Sequence, residues 1–160
     1  MAFQIASKKV PTPMNLKFCS VLILALLTCL PTFAGTYYVA TNGADANPGT
    51  LALPWRTIQK AANTLGPGDT ALVRGGIYSE RVTVRVSGSA SGRVTLQNYP
   101  GETPIVDGAG LGVPNSDTGL FLLVNRAYVV IKGFEIRNYK TASSALVPAG
   151  IQIIGVGHHI

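Results

Sequence analysis

Two groups of side chains in this 160-residue chain could hold a metal ion. Asn42, Asp45 and Asn47 offer oxygen atoms of the kind that calcium prefers. Such side chains in a Gly- and Pro-containing loop more often bond nearby backbone, so we expect a structural role. The second group is His158-His159, but adjacent residues of a strand point to opposite faces. Neither group is therefore assigned as a metal site.

Aromatic side chains could instead bind a sugar, because their rings offer large apolar faces. The single tryptophan, Trp55, lies at the start of a predicted helix, and we expect it to pack that helix against strands. Four tyrosines are expected at core or rim positions, namely Tyr78, Tyr99, Tyr128 and Tyr139. No nucleophile motif with a base is present, and Gly108-Ala109-Gly110 lacks the lysine and hydroxyl of a phosphate loop.

The elements that would position these residues begin after an export segment. Lys8, Lys9 and Lys17 precede the apolar run Phe18–Leu30, and we expect cleavage near Ala34–Gly35. A basic start, an apolar run of about a dozen residues and a small residue at the cut describe a secretory signal peptide. The run is shorter than the roughly 20 residues of a membrane span. Residues 1–34 are therefore predicted to be a signal peptide, and the mature protein to be secreted with no membrane span.

Three alternatives stay open for this segment. Met14 would begin a more typical signal, and an uncleaved segment would act as an anchor. Cys29 faintly matches a lipid-attachment site, which would anchor the protein at the cell surface. The periplasm is the other alternative to secretion. Both cysteines, Cys19 and Cys29, precede residue 35, so the mature chain can form no internal disulfide.

The charge of the mature chain argues against nucleic-acid binding. The whole chain carries +6, but from Gly35 onward ten Lys/Arg and seven Asp/Glu give +3, and the basic residues are spread out. A nucleic-acid surface would need them clustered. A mildly positive surface suits an acidic polysaccharide such as pectate, and it also suits simple solubility. We expect a monomer.

Residues 35–69 are predicted to hold a strand, a turn-rich loop and one helix. The strand is Thr36–Ala40 and the helix is Pro54–Leu65. Gln59, Lys60 and Asn63 are expected to face water, while Gly66 and Pro67 end the helix. The opposite face collects apolar residues at helical spacing, namely Ile58, Ala61, Ala62 and Leu65.

Residues 70–160 are predicted to hold short strands separated by Gly, Ser, Asn and Pro. Val73 and Leu96 lie 23 residues apart, Leu96 and Leu122 lie 26 apart, and residues 125–129 resemble 155–160 at a spacing of about 31. Such periods are typical of a parallel β-solenoid, an all-β fold, whose open first coil the helix would cap. An antiparallel sandwich is the alternative. The predicted strands are 70–74, 77–78, 81–86, 93–98, 104–107, 120–124, 128–132, 134–137 and 151–154, and Asn98, Asn125 and Asn138 near strand ends are expected to stack as an internal ladder.

A series of short motifs gives the chain a family resemblance. They are Tyr37-Tyr38-Val39, Asn42-Gly43, Asp45, Asn47–Thr50, Pro54–Ala62, Pro67–Thr70, Val73–Tyr78 and Tyr99–Gly108. Together they resemble the N-terminal region of secreted right-handed parallel β-helix proteins, closest to the family 9 pectate lyases and related uncharacterised β-helix proteins. The resemblance covers Thr36 to about Asn138. It implies a right-handed parallel β-helix with an N-terminal capping helix, truncated after the first few coils.

The resemblance also implies a chemistry, β-elimination on a uronic acid chain. A basic residue removes a proton, and calcium held by acidic residues neutralises the uronate carboxylate. Here Asp107, Asp117 and Glu135 are separated by loops, with no lysine among them in a recognisable motif. The catalytic residues therefore stay unknown, and no cofactor-binding or metal-binding residue is assigned. Calcium is expected only if the full-length protein is a lyase.

The leading hypothesis is thus the N-terminal part of a secreted, pectate-lyase-like protein that acts on acidic polysaccharide. The alternatives are a non-catalytic carbohydrate-binding or surface β-helix protein, and a glycoside hydrolase or epimerase on the same scaffold. Alone, the 160 residues are expected to be inactive and marginally stable, because their last coil would lack a partner.

Overall fold

The computed structural model describes residues 34–115, 118–155 and 159–160. The predicted signal peptide as far as residue 33, its alternative start at Met14 and both cysteines lie outside these ranges. Asp117 and His158 also lie outside them. Across the described ranges, no helix is both long enough and apolar enough to cross a membrane.

Within those ranges the chain forms ten strands and one short helix. The strands pair only in parallel. In chain order the elements are β1 (Thr36–Val39), α1 (Ile58–Thr64), β2 (Thr70–Val73), β3 (Gly76–Tyr78), β4 (Val82–Val84), β5 (Val94–Asn98), β6 (Pro104–Asp107), β7 (Gly119–Val124), β8 (Val129–Lys132), β9 (Glu135–Arg137) and β10 (Ala149–Ile154).

The strands are distributed over three sheets in a repeating order. The first sheet runs β1-β2-β5-β8, the second β3-β6-β9 and the third β4-β7-β10. The coils β2–β4, β5–β7 and β8–β10 therefore each give one strand to every sheet. This arrangement is a parallel β-helix, so the predicted fold is confirmed and the antiparallel sandwich is wrong.

The core is built from inward side chains that stack in register from coil to coil. Val82 lies beside Phe121 and Val84 beside Leu123, and all four side chains are buried. Thr83, between the two valines, points outward because successive side chains of a strand alternate. Stacking of this kind keeps the apolar rows continuous along the axis of the β-helix.

The segment before α1 differs from the sequence prediction. The helix begins at Ile58 rather than Pro54, with Thr57 as its N-cap. Trp55 cannot join it, because its N–H donates to Tyr38 O and its C=O accepts from Ala40 N, both belonging to the β1 segment. The Trp55 ring is 3% exposed and stacks on Tyr37 at 4.8 Å, so the packing role predicted for Trp55 is confirmed.

The apolar face of α1 is confirmed, but the prediction that Gln59 faces water is wrong. Helix α1 lies against the outer edge of β4, where a strand would otherwise present unpaired backbone groups. The side-chain amide of Gln59 accepts from Thr83 N at 2.8 Å and donates to Thr83 O at 2.9 Å. It thereby replaces the missing neighbouring strand at this residue.

Glu80 binds the N-terminal end of the same helix, beside Gln59. Its two carboxylate oxygens accept from the backbone N–H groups of Ile58 and Gln59, each at 2.9 Å. These donors belong to the first turn and have no partner inside the helix. Burial raises the pKa of Glu80, and the two N–H donors only partly oppose that rise.

The asparagines do not form one ladder. Asn98 ends β5 in the first sheet, whereas Asn125 follows β7 in the third and Asn138 follows β9 in the second. Each therefore occupies a different corner, so the predicted stack is wrong. The similarity of residues 125–129 to 155–160 has a structural basis, because Val124 pairs with Ile154 and places Asn125 against Gly155.

The spacing between apolar residues did not predict which positions of successive coils are paired. Val73 pairs with Asn98 and Leu96 with Ala71, so Val73 and Leu96 are not equivalent positions of successive coils. Leu122 belongs to a third-sheet strand and pairs with Thr83. The solenoid was thus predicted correctly from a spacing that does not follow the true register.

Candidate functional site: a cleft between two loops

A cleft of about 530 Å³ opens between the loops that follow β6 and β9. We call it the loop cleft. Its lining is formed by Gly108, Ala109, Gly110, Leu111, Gly112, Asn138 and Lys140. Both loops leave the second sheet at the same end, because Asp107 pairs with Arg137 in the β6–β9 register.

One wall of the loop cleft is almost bare backbone. Gly110 has φ +75°, a conformation that favours glycine, and a Cβ atom at Gly110 or Gly112 would meet only open space. Leu111 N donates to Gly108 O at 3.0 Å, and the Arg81 guanidinium donates to Gly112 O. These bonds hold a wall that lets a ligand approach the main chain closely.

The two loops of the cleft are held together by the carboxylate of Asp107, a residue that is 7% exposed and directly precedes the lining residue Gly108. Its Oδ1 accepts from Ala109 N at 2.9 Å, and its Oδ2 accepts from Arg137 Nε at 2.9 Å. Asn138 Nδ2 lies 3.1 Å from both oxygens. The carboxylate therefore ties the loop after β6 to the end of β9.

The pKa of Asp107 lies below its ordinary value. The hydrogen bond from Ala109 N is the largest cause, followed by the bond from Arg137, with Asn138 adding to the effect against the opposing influence of burial. All of these partners donate to the charged form and favour it. Asp107 is consequently a poor proton acceptor, and we assign it a positioning role.

Lys140 differs from Arg137 because it has no acidic partner in the described ranges. Arg137 is shared between Asp107 and Glu135, at 2.9 and 3.1 Å. No ion pair joins Lys140 to an acidic group of the described residues. The exposed ammonium on the rim of the loop cleft is thus a positive charge available to a ligand.

The described residues do not fit the calcium ion implied by the family resemblance. They contain no group of three or more His, Cys, Asp or Glu that could hold a metal. The carboxylates of Asp107 and Glu80 are already engaged by N–H donors. Asp45 likewise accepts from Arg56 N and Thr57 N, at 3.0 and 2.9 Å, and from the Thr57 hydroxyl. No step through calcium is therefore derived for this region.

The tyrosines occupy the core and rim positions that were expected. Tyr78 is buried, and its hydroxyl donates to Arg74 O at 2.9 Å. The Arg74 guanidinium lies 4.6 Å from the centre of the Tyr99 ring and is paired with Glu102. Tyr139 packs over Gly108, where a Cβ atom would come within 2.6 Å of the Tyr139 Cβ. This contact fixes the entrance to the glycine wall.

The remaining candidates do not form a second centre. His159 stacks on Tyr128 at 4.7 Å, while His158 lies outside the described residues. A smaller cavity of about 270 Å³ lies beside Thr41, Arg56 and Glu80, but Glu80 is bound to α1 and Arg56 donates to Thr41 O.

The sequence did not identify Arg137, Asn138 or Lys140 as site residues. One signal was available, since Asp107 and Arg137 lie 30 residues apart, close to the spacing of about 31 between residues 125–129 and 155–160. A carboxylate and a guanidinium one coil apart would have predicted the ion pair. The glycine wall carries no comparable signal.

Comparisons with known proteins agree with this architecture. The family model described as the Pel9A-like right-handed β-helix region matches residues 37–160. An uncharacterised Bacillus subtilis protein, YwoF, is 30% identical over 128 residues, covering 79% of this chain and 27% of YwoF. Pectate lyase PEL9 of Emericella nidulans is 32% identical over 116 residues, covering 66% of this chain and 28% of the lyase.

A solved structure shows the same fold. The crystal structure of pectate lyase Pel9A superposes with a TM-score of 0.51 at 22% identity, covering 64% of this chain and 28% of that one. The chain thus spans about a quarter of the length of the curated relatives it matches. Because the family model covers most of the sequence, the chain belongs to the Pel9A-like right-handed β-helix family.

Proposed function

We propose that this chain is part of an exported polysaccharide-active protein that binds acidic, uronate-containing glycans, and that the whole protein cleaves them by β-elimination. The observation that carries the proposal is the loop cleft, an open groove whose rim carries the Lys140 ammonium, which forms no ion pair with the described residues. The chain also belongs to a family in which two relatives are named pectate lyase, and this supports an acidic polysaccharide as the substrate.

In such an elimination a base removes the proton next to the uronate carboxylate, and the glycosidic oxygen leaves as the double bond forms. The described region is suited to binding rather than to this step. Asp107 is held in its charged form by three donors, and both carboxylate oxygens of Glu80 are occupied by the backbone N–H groups of Ile58 and Gln59. We therefore expect this chain to hold the polymer without cutting it.

The proposal is tested by titrating the purified chain with polygalacturonate and with a neutral galactan of similar length. Calorimetry measures binding, and the ultraviolet absorbance of unsaturated uronate measures elimination. We expect binding of polygalacturonate only, weakening as salt is added because exposed charges are screened. Equal binding of the neutral polymer, or no binding of either, would contradict the acidic-glycan proposal.

A non-catalytic carbohydrate-binding protein is the second candidate. It is favoured by the engagement of Asp45, Glu80 and Asp107 in structural hydrogen bonds. The same titration distinguishes the two when repeated on a form with additional coils of a family member fused in register. Unsaturated product from that form supports the lyase, and binding without product supports the binding protein.

A further inference from the structure

We propose that the loop cleft is a subsite for a single uronate residue, with Lys140 as the group that recognises the sugar carboxylate. This inference rests on the proposed function and adds to it a defined site and a residue that sets specificity. Two basic residues lie near the cleft, of which Arg137 is paired with acidic groups and Lys140 has no ion pair with described residues.

Arg137 cannot serve as the carboxylate receptor without losing its present partners. Its Nε donates to Asp107 and its Nη1 donates to Glu135. Moving it would leave the nearly buried Asp107 carboxylate short of a donor, which is costly. Within the described part of the chain Lys140 has no ion pair to break, so its ammonium can meet a ligand carboxylate.

Asn138 supplies the second polar contact in a fixed orientation. Its amide nitrogen is held by both oxygens of Asp107, which leaves Oδ1 as the acceptor directed away from that carboxylate. A sugar hydroxyl can donate to this oxygen. The amide is thus oriented before a ligand arrives, and its backbone, at φ +59°, already occupies the left-handed region.

The opposite wall accommodates the sugar ring. At Gly110 and Gly112 no neighbouring atom lies within 4 Å of an added Cβ atom, so this space is open to a ligand. Between them, half-buried Leu111 lines the cleft and packs against the hydrophobic core, which holds the wall in place. A carboxylate receptor, an oriented acceptor and a bare wall together suit a uronate better than a neutral sugar, which would leave Lys140 without a partner.

The test compares Lys140→Gln with wild type, using short galacturonate oligomers and the matching galactose oligomers in the presence of a chelator. We expect the Lys140→Gln chain to bind galacturonate about tenfold more weakly, as loss of a charge-assisted contact implies. Lys140→Arg keeps the charge and should retain binding within about threefold. Lys132→Gln removes an exposed lysine of the first sheet and should leave binding unchanged.

A steric variant tests the location independently. Gly112→Leu places a side chain in the open space of the cleft, at a residue whose φ imposes no strain. It should weaken galacturonate binding while circular dichroism shows an unchanged fold.

The outcomes separate the two proposals. If wild type prefers galacturonate but Lys140→Gln or Gly112→Leu binds as wild type does, the subsite is wrong and the acidic-glycan proposal stands. If wild type shows no preference for galacturonate, the proposed function itself fails.

Discussion

The amide of Gln59 offers a direct test of how the first coil is closed. Replacing it with alanine removes the bonds to Thr83 N and Thr83 O, which are 2.8 and 2.9 Å long, and an exposed bond to Asn63 Oδ1 at 2.9 Å. Each bond to Thr83 contributes about 1 kcal/mol net and the exposed bond contributes little, so the loss is about 2 kcal/mol. The higher helix propensity of alanine returns a few tenths of a kcal/mol. We expect the free energy of unfolding to fall by about 1.5–2 kcal/mol.

Urea and thermal unfolding followed by circular dichroism measure this change. For a folded region of this size the loss corresponds to a decrease in Tm of about 6 °C. Gln97→Ala is the matched control, because Gln97 lies half-buried on β5 and its amide makes no hydrogen bond to described residues. It should cost less than about 0.5 kcal/mol.

A second variant separates the two bonds. Gln59→Glu keeps an acceptor for Thr83 N but places a carboxylate oxygen against Thr83 O, so it should be at least as destabilising as alanine. If Gln59→Ala and Gln97→Ala lose equal stability, the idea that this amide replaces a neighbouring strand is refuted.

Two further predictions concern a corner and the response to pH. Gly133→Ala should lower the free energy of unfolding by at least about 2 kcal/mol, because Gly133 has φ +76° and an added Cβ would overlap Asn98 Oδ1. The control is Gly101→Ala, where φ is +77° but the space is open, and it should cost only about 1 kcal/mol in the same urea titration. Folding lowers the pKa of Asp107. Its contribution to stability is therefore present at pH values above its unfolded-state pKa of about 3.8, and it is lost as the pH falls through the folded-state pKa. Folding raises the pKa of Glu80, so its contribution to stability depends on pH in the opposite direction. The contribution is complete below its unfolded-state pKa of about 4.5, and it is lost as the pH rises through the folded-state pKa. Thermal melts at graded pH test both residues. Asp107→Asn should lose less Tm than wild type as the pH falls, and Glu80→Gln should lose less Tm than wild type as the pH rises above 4.5. Curves of Tm against pH that run parallel to wild type would contradict both assignments.

The pattern of apolar residues within single strands and within the helix predicted most of the fold. Val82 and Val84 on one face, with Thr83 between them, are sufficient to indicate a half-buried strand. The helical face that contains Ile58 and Ala61 was equally clear. Both signals are local, since they depend only on which side of one element is apolar.

The errors arose where a contact depends on another coil. Gln59 belongs to the polar side of its helix by sequence, but the edge of β4 needs a donor and an acceptor at that place. The sheet to which Asn98 or Asn138 belongs depends on which of three strands in a coil it follows, and no local pattern specifies that. The loop cleft was missed for the same reason, since its two loops meet only through coil stacking.

The coils differ in length while their strands stay aligned. The chain advances 25 residues from Thr70 to its partner Thr95, and 35 from Thr95 to Val130. The extra residues are accommodated in the connecting loops, outside the stacked rows. The loops that form the cleft are therefore separable modules, and exchanging them with those of a relative should alter ligand preference without refolding the scaffold. In this architecture, evolution or design can change the loops that would contact a ligand while the stacked apolar side chains of the strands stay the same.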